Sequence, residues 1–184
     1  TIAAYAVGAH KGYVYIRGEY PSVAKTVQSA LQAAREQNLL GNSILGSDFE
    51  FDIEVTRGGG SYVVGDETAL LSSLMGKRGF PWMKPPYPTE KGLWDKPTVI
   101  NNVETLAYVP LILGHGAAAF ASVGAEGSPG PKLYSVSGHV NSPGIYEFPM
   151  GVSVKELLKA AGGVQGQLKA VQIGGTAGPI YDDS

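Results

Sequence analysis

Three consecutive glycines stand between a segment of strand periodicity and a segment of helical periodicity, in the stretch Arg57–Thr68, RGGGSYVVGDET. Before them, Phe49, Phe51, Ile53 and Val55 alternate with Glu50, Asp52, Glu54 and Thr56, the period-two pattern of a strand with one apolar and one acidic face. After them, Ala69, Leu70, Leu71 and Leu74 recur at helical spacing. A strand that turns within a few Cβ-free residues into a helix commits this part of the chain to an α/β arrangement and lets its backbone approach a bulky partner closely.

The chemistry of that junction narrows the partner. Glycine loops at helix N-termini usually hold phosphate through the first N–H groups. Here Asp66 and Glu67 already supply negative charge to the first turn, so hydroxyls, ring N–H groups or a cationic ring suit the pocket better. The residues alone leave a second reading open, in which Gly58, Gly59 and Gly60 only form a turn and the two carboxylates only cap a helix.

Upstream, Ile2–Ala9 reads as the tail of a helix and Tyr13–Arg17 as a strand bounded by Gly12 and Gly18. Pro21 and Ser22 open a helix whose apolar face is Val23, Val27, Ala30, Leu31 and Ala34, ending near Leu40. Strand, helix and strand in that order predict a βαβ unit with parallel strands. The glycine loop then falls at the carboxyl end of a strand, where open α/β sheets bind ligands.

Downstream, prolines 81, 85, 86, 88 and 97 exclude a helix or central strand from Gly79–Pro97 and predict a long ordered loop or lid. Lys84, Tyr87 and Trp94 offer a cation and two ring faces suited to a nucleotide, or else to surface packing. Asn101 and Glu104 have capping-box spacing at the start of an apolar helix. From Leu106 to Ala125 no Asp, Glu, Lys or Arg occurs, but Pro110, Gly114 and Gly116 interrupt the run and no basic cluster flanks it. A kinked, buried helix pair is expected there.

Ser122–Pro131 is rich in Gly, Ser, Ala and Pro and reads as a linker. Beyond it, Lys132–Val140 and Gly144–Phe148 read as strands, Ser153 with Glu156 as a capping box before a short helix, and Ala170–Ile173 as another strand. A net charge of −2 gives no basic footprint for nucleic acid. The chain has no cysteine, which excludes thiolate chemistry and cysteine-held metal within it. His10, His115 and His139 lie at no metal-ligand spacing and are assigned no role.

Taken in order, IAAYAVGAHKGYVYIRGEYP, LLGNSILGSDFEFDIEV, RGGGSYVVGDETALLSSLMGKRG, KPPYP and KGLWDKPTVINNVETLA resemble one family over nearly the whole chain. It is the NADH-oxidising flavoprotein subunit of respiratory complex I, with its relatives in NAD(P)-linked hydrogenases and formate dehydrogenases. The family pattern reads GAGAYxCGEETAL; here Val64 replaces Cys, Asp66 replaces the first Glu, and Glu67 keeps the second. Tyr87 stands where Phe is common.

The resemblance implies a partial, Rossmann-like FMN-binding α/β domain over residues 1–125 and a soluble-ligand-binding β-grasp (ubiquitin-like) domain over 131–184. It implies FMN and NAD(H) as cofactors, with hydride accepted from NAD(P)H onto FMN and electrons passed to iron–sulfur clusters. Gly58, Gly60, Tyr62, Gly65 and Asp66 would bind the cofactors, Tyr62 and Gly65 along the flavin, and Glu67 would act beside the nicotinamide and its ribose as the catalytic carboxylate. Lys84 and Tyr87 would meet the outer nucleotide; Asn101, Asn102 and Thr105 would bind FMN, Thr105 toward its phosphate. The family's upstream glycine-rich segment and its downstream cysteine segment for a 4Fe–4S cluster have no counterpart, so the chain is expected to be a central piece of a longer subunit, inactive alone. Expected partners are NADH and iron–sulfur subunits, with no nucleic acid and no membrane insertion. The expected location is cytoplasmic, peripheral to the inner membrane face through those partners. Two alternatives stay open: a β-grasp ligand-binding module without redox activity, and a flavin-type subunit of an ion-translocating NADH dehydrogenase.

Overall fold

The computed structural model describes residues 1–59 and 61–182. The chain divides into two compact units, Thr1–Val109 and Pro110–Ser184. Both mix helix with strand, the α/β class the sequence indicates.

In the first unit a short helix, α1 (Ile2–Val7), stops at Gly8, whose φ of 68° ends the helix in the left-handed region. β1 (Lys11–Ile16) leads into α2 (Pro21–Glu36), which starts with proline in its first turn. β2 (Asp52–Arg57) returns parallel to β1, with Lys11 opposite Asp52 and Ile16 opposite Arg57. The strand expected from Phe49 thus begins later. Phe51 is held instead by an antiparallel bridge to Gly41, through backbone bonds of 2.8 and 3.0 Å.

The buried face of α2 is also rotated from the expected one. It runs through Ala24, Val27, Leu31 and Ala34, while Val23 and Ala30 are exposed. Arg35 explains the rotation: its Nε donates to Asp52 Oδ1 at 2.9 Å and its Nη2 to the Ile53 carbonyl at 2.8 Å, which pins that side of the helix to β2. Ala4, Leu40, Ile44 and Phe51 form the buried cluster beneath, with Leu31, Phe49 and Ile53 packed on it.

α3 (Glu67–Leu74) buries Thr68, Ala69, Leu71 and Ser72. α4 (Val103–His115), with Pro110 inside it, and α5 (Ala117–Ala121) are separated at Gly116, φ 87°. The expected helix pair is therefore present, but neither helix has a buried residue. The apolar side chains Val103, Leu106, Leu111 and Leu113 are all exposed. Among the described residues no helix is long and apolar enough to cross a membrane.

In the second unit, the segment read as a linker contains a miniature hairpin. β3 (Gly124–Ala125) and β4 (Ser128–Pro129) pair antiparallel across Glu126 and Gly127, the latter at φ 76°. A two-residue turn with glycine at positive φ favours this pairing over an open linker. β5 (Pro131–Val136) and β6 (Gly144–Pro149) pair antiparallel with Tyr134 opposite Tyr146. α6 (Val154–Ala160) carries the full capping box of Ser153 and Glu156 expected from sequence. β7 (Ala170–Gln172) pairs with β8 (Ile180–Asp182), a strand the sequence reading does not anticipate.

Candidate functional site

Gly58 leaves β2 with its N–H on the Ile16 carbonyl at 2.8 Å, one step beyond the parallel ladder. Its φ lies outside the left-handed region, so conformation does not demand glycine there. Packing does: a Cβ would run into the ring and hydroxyl of Tyr15. The Tyr15 hydroxyl in turn lies 2.8 Å from Ser73 Oγ on α3. One aromatic side chain therefore ties β1 to α3 beneath the turn. A Cβ at Gly59 or Gly65 would meet nothing within 4 Å. Gly60 lies outside the described residues.

Tyr62–Gly65 forms a single 3-10 turn that buries Val64, at the position of the family's cysteine, and leaves the Tyr62 side chain 55% exposed. Asp66 then caps α3. Its Oδ1 accepts from the Thr68 hydroxyl at 2.6 Å, the Thr68 N–H at 2.9 Å and the Ala69 N–H at 3.1 Å. Those donors, the Thr68 hydroxyl foremost and the Ala69 N–H next, hold the Asp66 carboxyl below the usual carboxylate range. The first-turn N–H groups of Thr68 and Ala69 are thereby taken by an ionised carboxylate, as the sequence argument against phosphate at this helix end expects.

Glu67 does not cap. Its carboxylate pairs with the Lys84 ammonium, and that hydrogen bond is the main cause that pushes Lys84 above the usual lysine range. The nicotinamide carboxylate and the outer-nucleotide cation of the sequence reading are thus direct partners.

The proline-rich segment is an ordered loop, as expected, and closes on itself. The Thr98 N–H donates to the Pro88 carbonyl at 2.8 Å and the Leu93 N–H to Thr98 Oγ1 at 2.9 Å. Nearer α3, Ser72 Oγ donates to the Phe80 carbonyl and Thr68 Oγ1 accepts from the Trp82 N–H, each at 3.1 Å. Tyr87 is 54% exposed and near enough to Lys84 to add to its electrostatics. Trp94 packs edge-on to the Tyr13 ring at 5.7 Å between centroids, which engages one of its ring contacts within the protein.

At α4 the cap is Asn102, not Asn101. Asn102 Oδ1 accepts from the Glu104 N–H at 2.8 Å, and its carbonyl takes the Leu106 N–H at 3.2 Å. An asparagine at the cap reaches the second N–H of the helix as readily as the third, so the helix starts one residue later than capping-box spacing implies. Asn101 and Thr105 are exposed. Among the described residues no hydrogen bond or ion pair joins Asn101, Asn102 or Thr105 to the glycine loop. His10 Nδ1 lies 3.1 Å from the Glu50 carbonyl, and no group of three His, Asp or Glu side chains gathers to hold a metal among the described residues.

The structure brings Asp66, Glu67 and Lys84 together, with Tyr87 beside them. It also shows what sequence reasoning overlooks: Tyr15, Thr68 and Ser72 make the contacts that join the site's segments. Two hydroxyls one turn apart on the inner side of an apolar helix are the signal that reveals two of them. A Cβ-free, uncrowded backbone at Gly59 and Gly65 and the exposed Tyr62 ring leave room for a flat group at the loop, while Asn101 and Thr105 present exposed polar groups at the start of α4.

Residues 1–111 match the family model of the Nuo51 FMN-binding domain, and residues 133–180 that of the SLBB domain. The second F subunit of the NADH-quinone oxidoreductase of Rhizobium meliloti (strain 1021) is 50% identical over 186 residues, which covers 100% of this chain and 44% of that protein. The F subunit of the NADH-quinone oxidoreductase of Aquifex aeolicus (strain VF5) is 50% identical over 169 residues, 91% of this chain and 40% of its own length. The HndC subunit of the NADP-reducing hydrogenase of Solidesulfovibrio fructosivorans is 47% identical over 181 residues, 97% of this chain and 37% of its own. A crystal structure of NAD+-reducing NiFe hydrogenase in the H2-reduced state superposes with a TM-score of 0.85 at 42% identity, over 100% of this chain and 30% of that one. The chain spans less than half the length of the curated relatives it matches.

Proposed function

The chain belongs to the Nuo51 FMN-binding domain family, and from that premise we propose that it is part of a flavoprotein subunit that oxidises NAD(P)H and delivers electrons to iron–sulfur partners. FMN, when bound, supplies the change from hydride to single-electron chemistry. The protein's work is to bind, orient and balance charge. Asn101 and Thr105 offer polar groups to the flavin's polar tail, with Asn102 contributing through the start of α4. Tyr62 and the open backbone at Gly59 and Gly65 form a face for its ring.

The observation that carries the reading is the pairing of Glu67 with Lys84 beside the glycine loop. A carboxylate suited to the nicotinamide amide and ribose hydroxyls, and a cation suited to phosphate, stand within reach of one dinucleotide. With Tyr87 alongside, Lys84 takes the nucleotide's outer part and Glu67 its reactive end. Binding would replace the mutual pair with contacts to opposite ends of one ligand. Electrons leave toward iron–sulfur clusters held outside these 184 residues, which contain no cysteine.

Glu67→Gln in a flavoprotein subunit carrying this segment tests the assignment. NAD(H) affinity or the flavin midpoint potential should change, while the unfolding midpoint moves little, because the carboxylate is partly exposed and forms no cap. Binding constants and potential both equal to wild type would remove Glu67 from the site.

A further inference from the structure

Thr68 and Ser72 are the polar side chains buried among the described residues, 1% and 7% exposed. They stand one turn apart on α3, where an apolar side chain of similar volume would avoid the cost of burying a hydroxyl. Both hydroxyls hold the same strip of the proline-rich loop. Ser72 takes the Phe80 carbonyl, and Thr68 takes the Trp82 N–H while its own proton goes to the Asp66 cap.

In an extended chain the carbonyl of one residue and the N–H of the residue two further on point the same way, so the Phe80 carbonyl and the Trp82 N–H can face one side of a helix together. Pro81 favours the extended form at Phe80. The strip therefore runs back along α3 toward its N-terminus, from Ser72 at Phe80 to Thr68 at Trp82. Two residues past Trp82 it delivers Lys84 to Glu67, the residue next to Thr68.

We propose that Thr68 and Ser72 are positioning residues that set where Lys84 stands relative to Glu67, and with it the span between the two ends of the nucleotide site. The inference rests on the nucleotide role given to Lys84 above. Thr68 serves twice, since the hydroxyl that fixes the loop also donates to the cap that fixes the start of α3. A shift of the glycine-loop end of the helix is thereby carried to the lysine loop.

The test uses Thr68→Val, which keeps shape and removes the hydroxyl, with Thr68→Ser as the conservative control and Ser72→Ala as an independent release of the strip. In the 184-residue chain, hydrogen exchange of the Trp82 amide, read by NMR, should quicken about five- to tenfold in Thr68→Val and return to wild type in Thr68→Ser. Acetylation of Lys84 by a small activated ester, read by mass spectrometry against the other lysines, should quicken in both Thr68→Val and Ser72→Ala. In a flavoprotein subunit carrying this segment, Thr68→Val should raise the KM for NAD(H) with kcat held, and Thr68→Ser should restore it. If Thr68→Val does not fold, Ser72→Ala carries the acetylation and kinetic arms. Unchanged Trp82 exchange in folded Thr68→Val, or unchanged Lys84 acetylation in Ser72→Ala, overturns the positioning role. Quickened exchange and acetylation with an unchanged KM uphold the positioning and instead remove Lys84 from the nucleotide site.

Discussion

Gly58 shows how one residue admits two explanations that only packing separates. From sequence it belongs to a flexible, ligand-approaching triplet; in the structure it is the floor on which Tyr15 rests. A methyl group there forces the Tyr15 ring aside, and with it the hydroxyl contact to Ser73. Gly58→Ala should therefore destabilise the chain by about 1–3 kcal/mol in urea unfolding, with no ligand present. In a Tyr15→Ala background most of that cost should vanish, because the clash has gone. An equal cost in both backgrounds would show that the glycine answers to something other than Tyr15.

Among the elements, legibility followed the range of the forces involved. The βαβ order, the opening of α3 after Asp66 and the capping box of α6 were readable because each rests on neighbours within a few residues. The phase of α2 was not, because Arg35 is drawn to Asp52, 17 residues away. Nor was the late start of β2, set by Gly41 across the chain, or the partner of β7, where exposed Ile180 and Tyr181 carry too short a pattern to announce a strand. At the site, motif resemblance supplied the residue types, while the Glu67–Lys84 pairing and the hydroxyls behind it needed coordinates. The cap of α3 gives an element-scale prediction with a definite sign. Asp66 has a folded-state pKa below its unfolded value of about 3.9, so its ionised form adds stability above that pH and the contribution is lost as pH falls through the folded value. Against Asp66→Asn, which retains an acceptor without charge, wild type should be the more stable at pH 7, and the gap should close below about pH 4. A gap of constant size down to pH 2, measured by urea midpoints, would rule the charge out as the source.

For the molecule as a whole, the question is where two folding units meet. We propose the boundaries 1–125 and 131–184. Compactness divides the chain earlier, between Val109 and Pro110 and so within α4, and the family matches end at 111 and resume at 133. The hairpin between β3 and β4 is exposed along its length, and a two-residue turn held by few backbone bonds opens at little cost. Limited proteolysis should accordingly nick between Ser122 and Pro131 first, as fragment masses would report. First cleavage within Leu106–Gly116 would favour the boundary inside α4, and first cleavage within β2 would argue against two separable units.

The two anchors on α3 also limit how this region can vary in length. Only Pro81 separates Phe80 from Trp82, and each of those neighbours is held to its own hydroxyl. A residue added or removed between them would leave one anchor unmet. Length changes should be refused there and tolerated outside the pinned segment, which behaves as a short splint with the charge at position 84 as its tip.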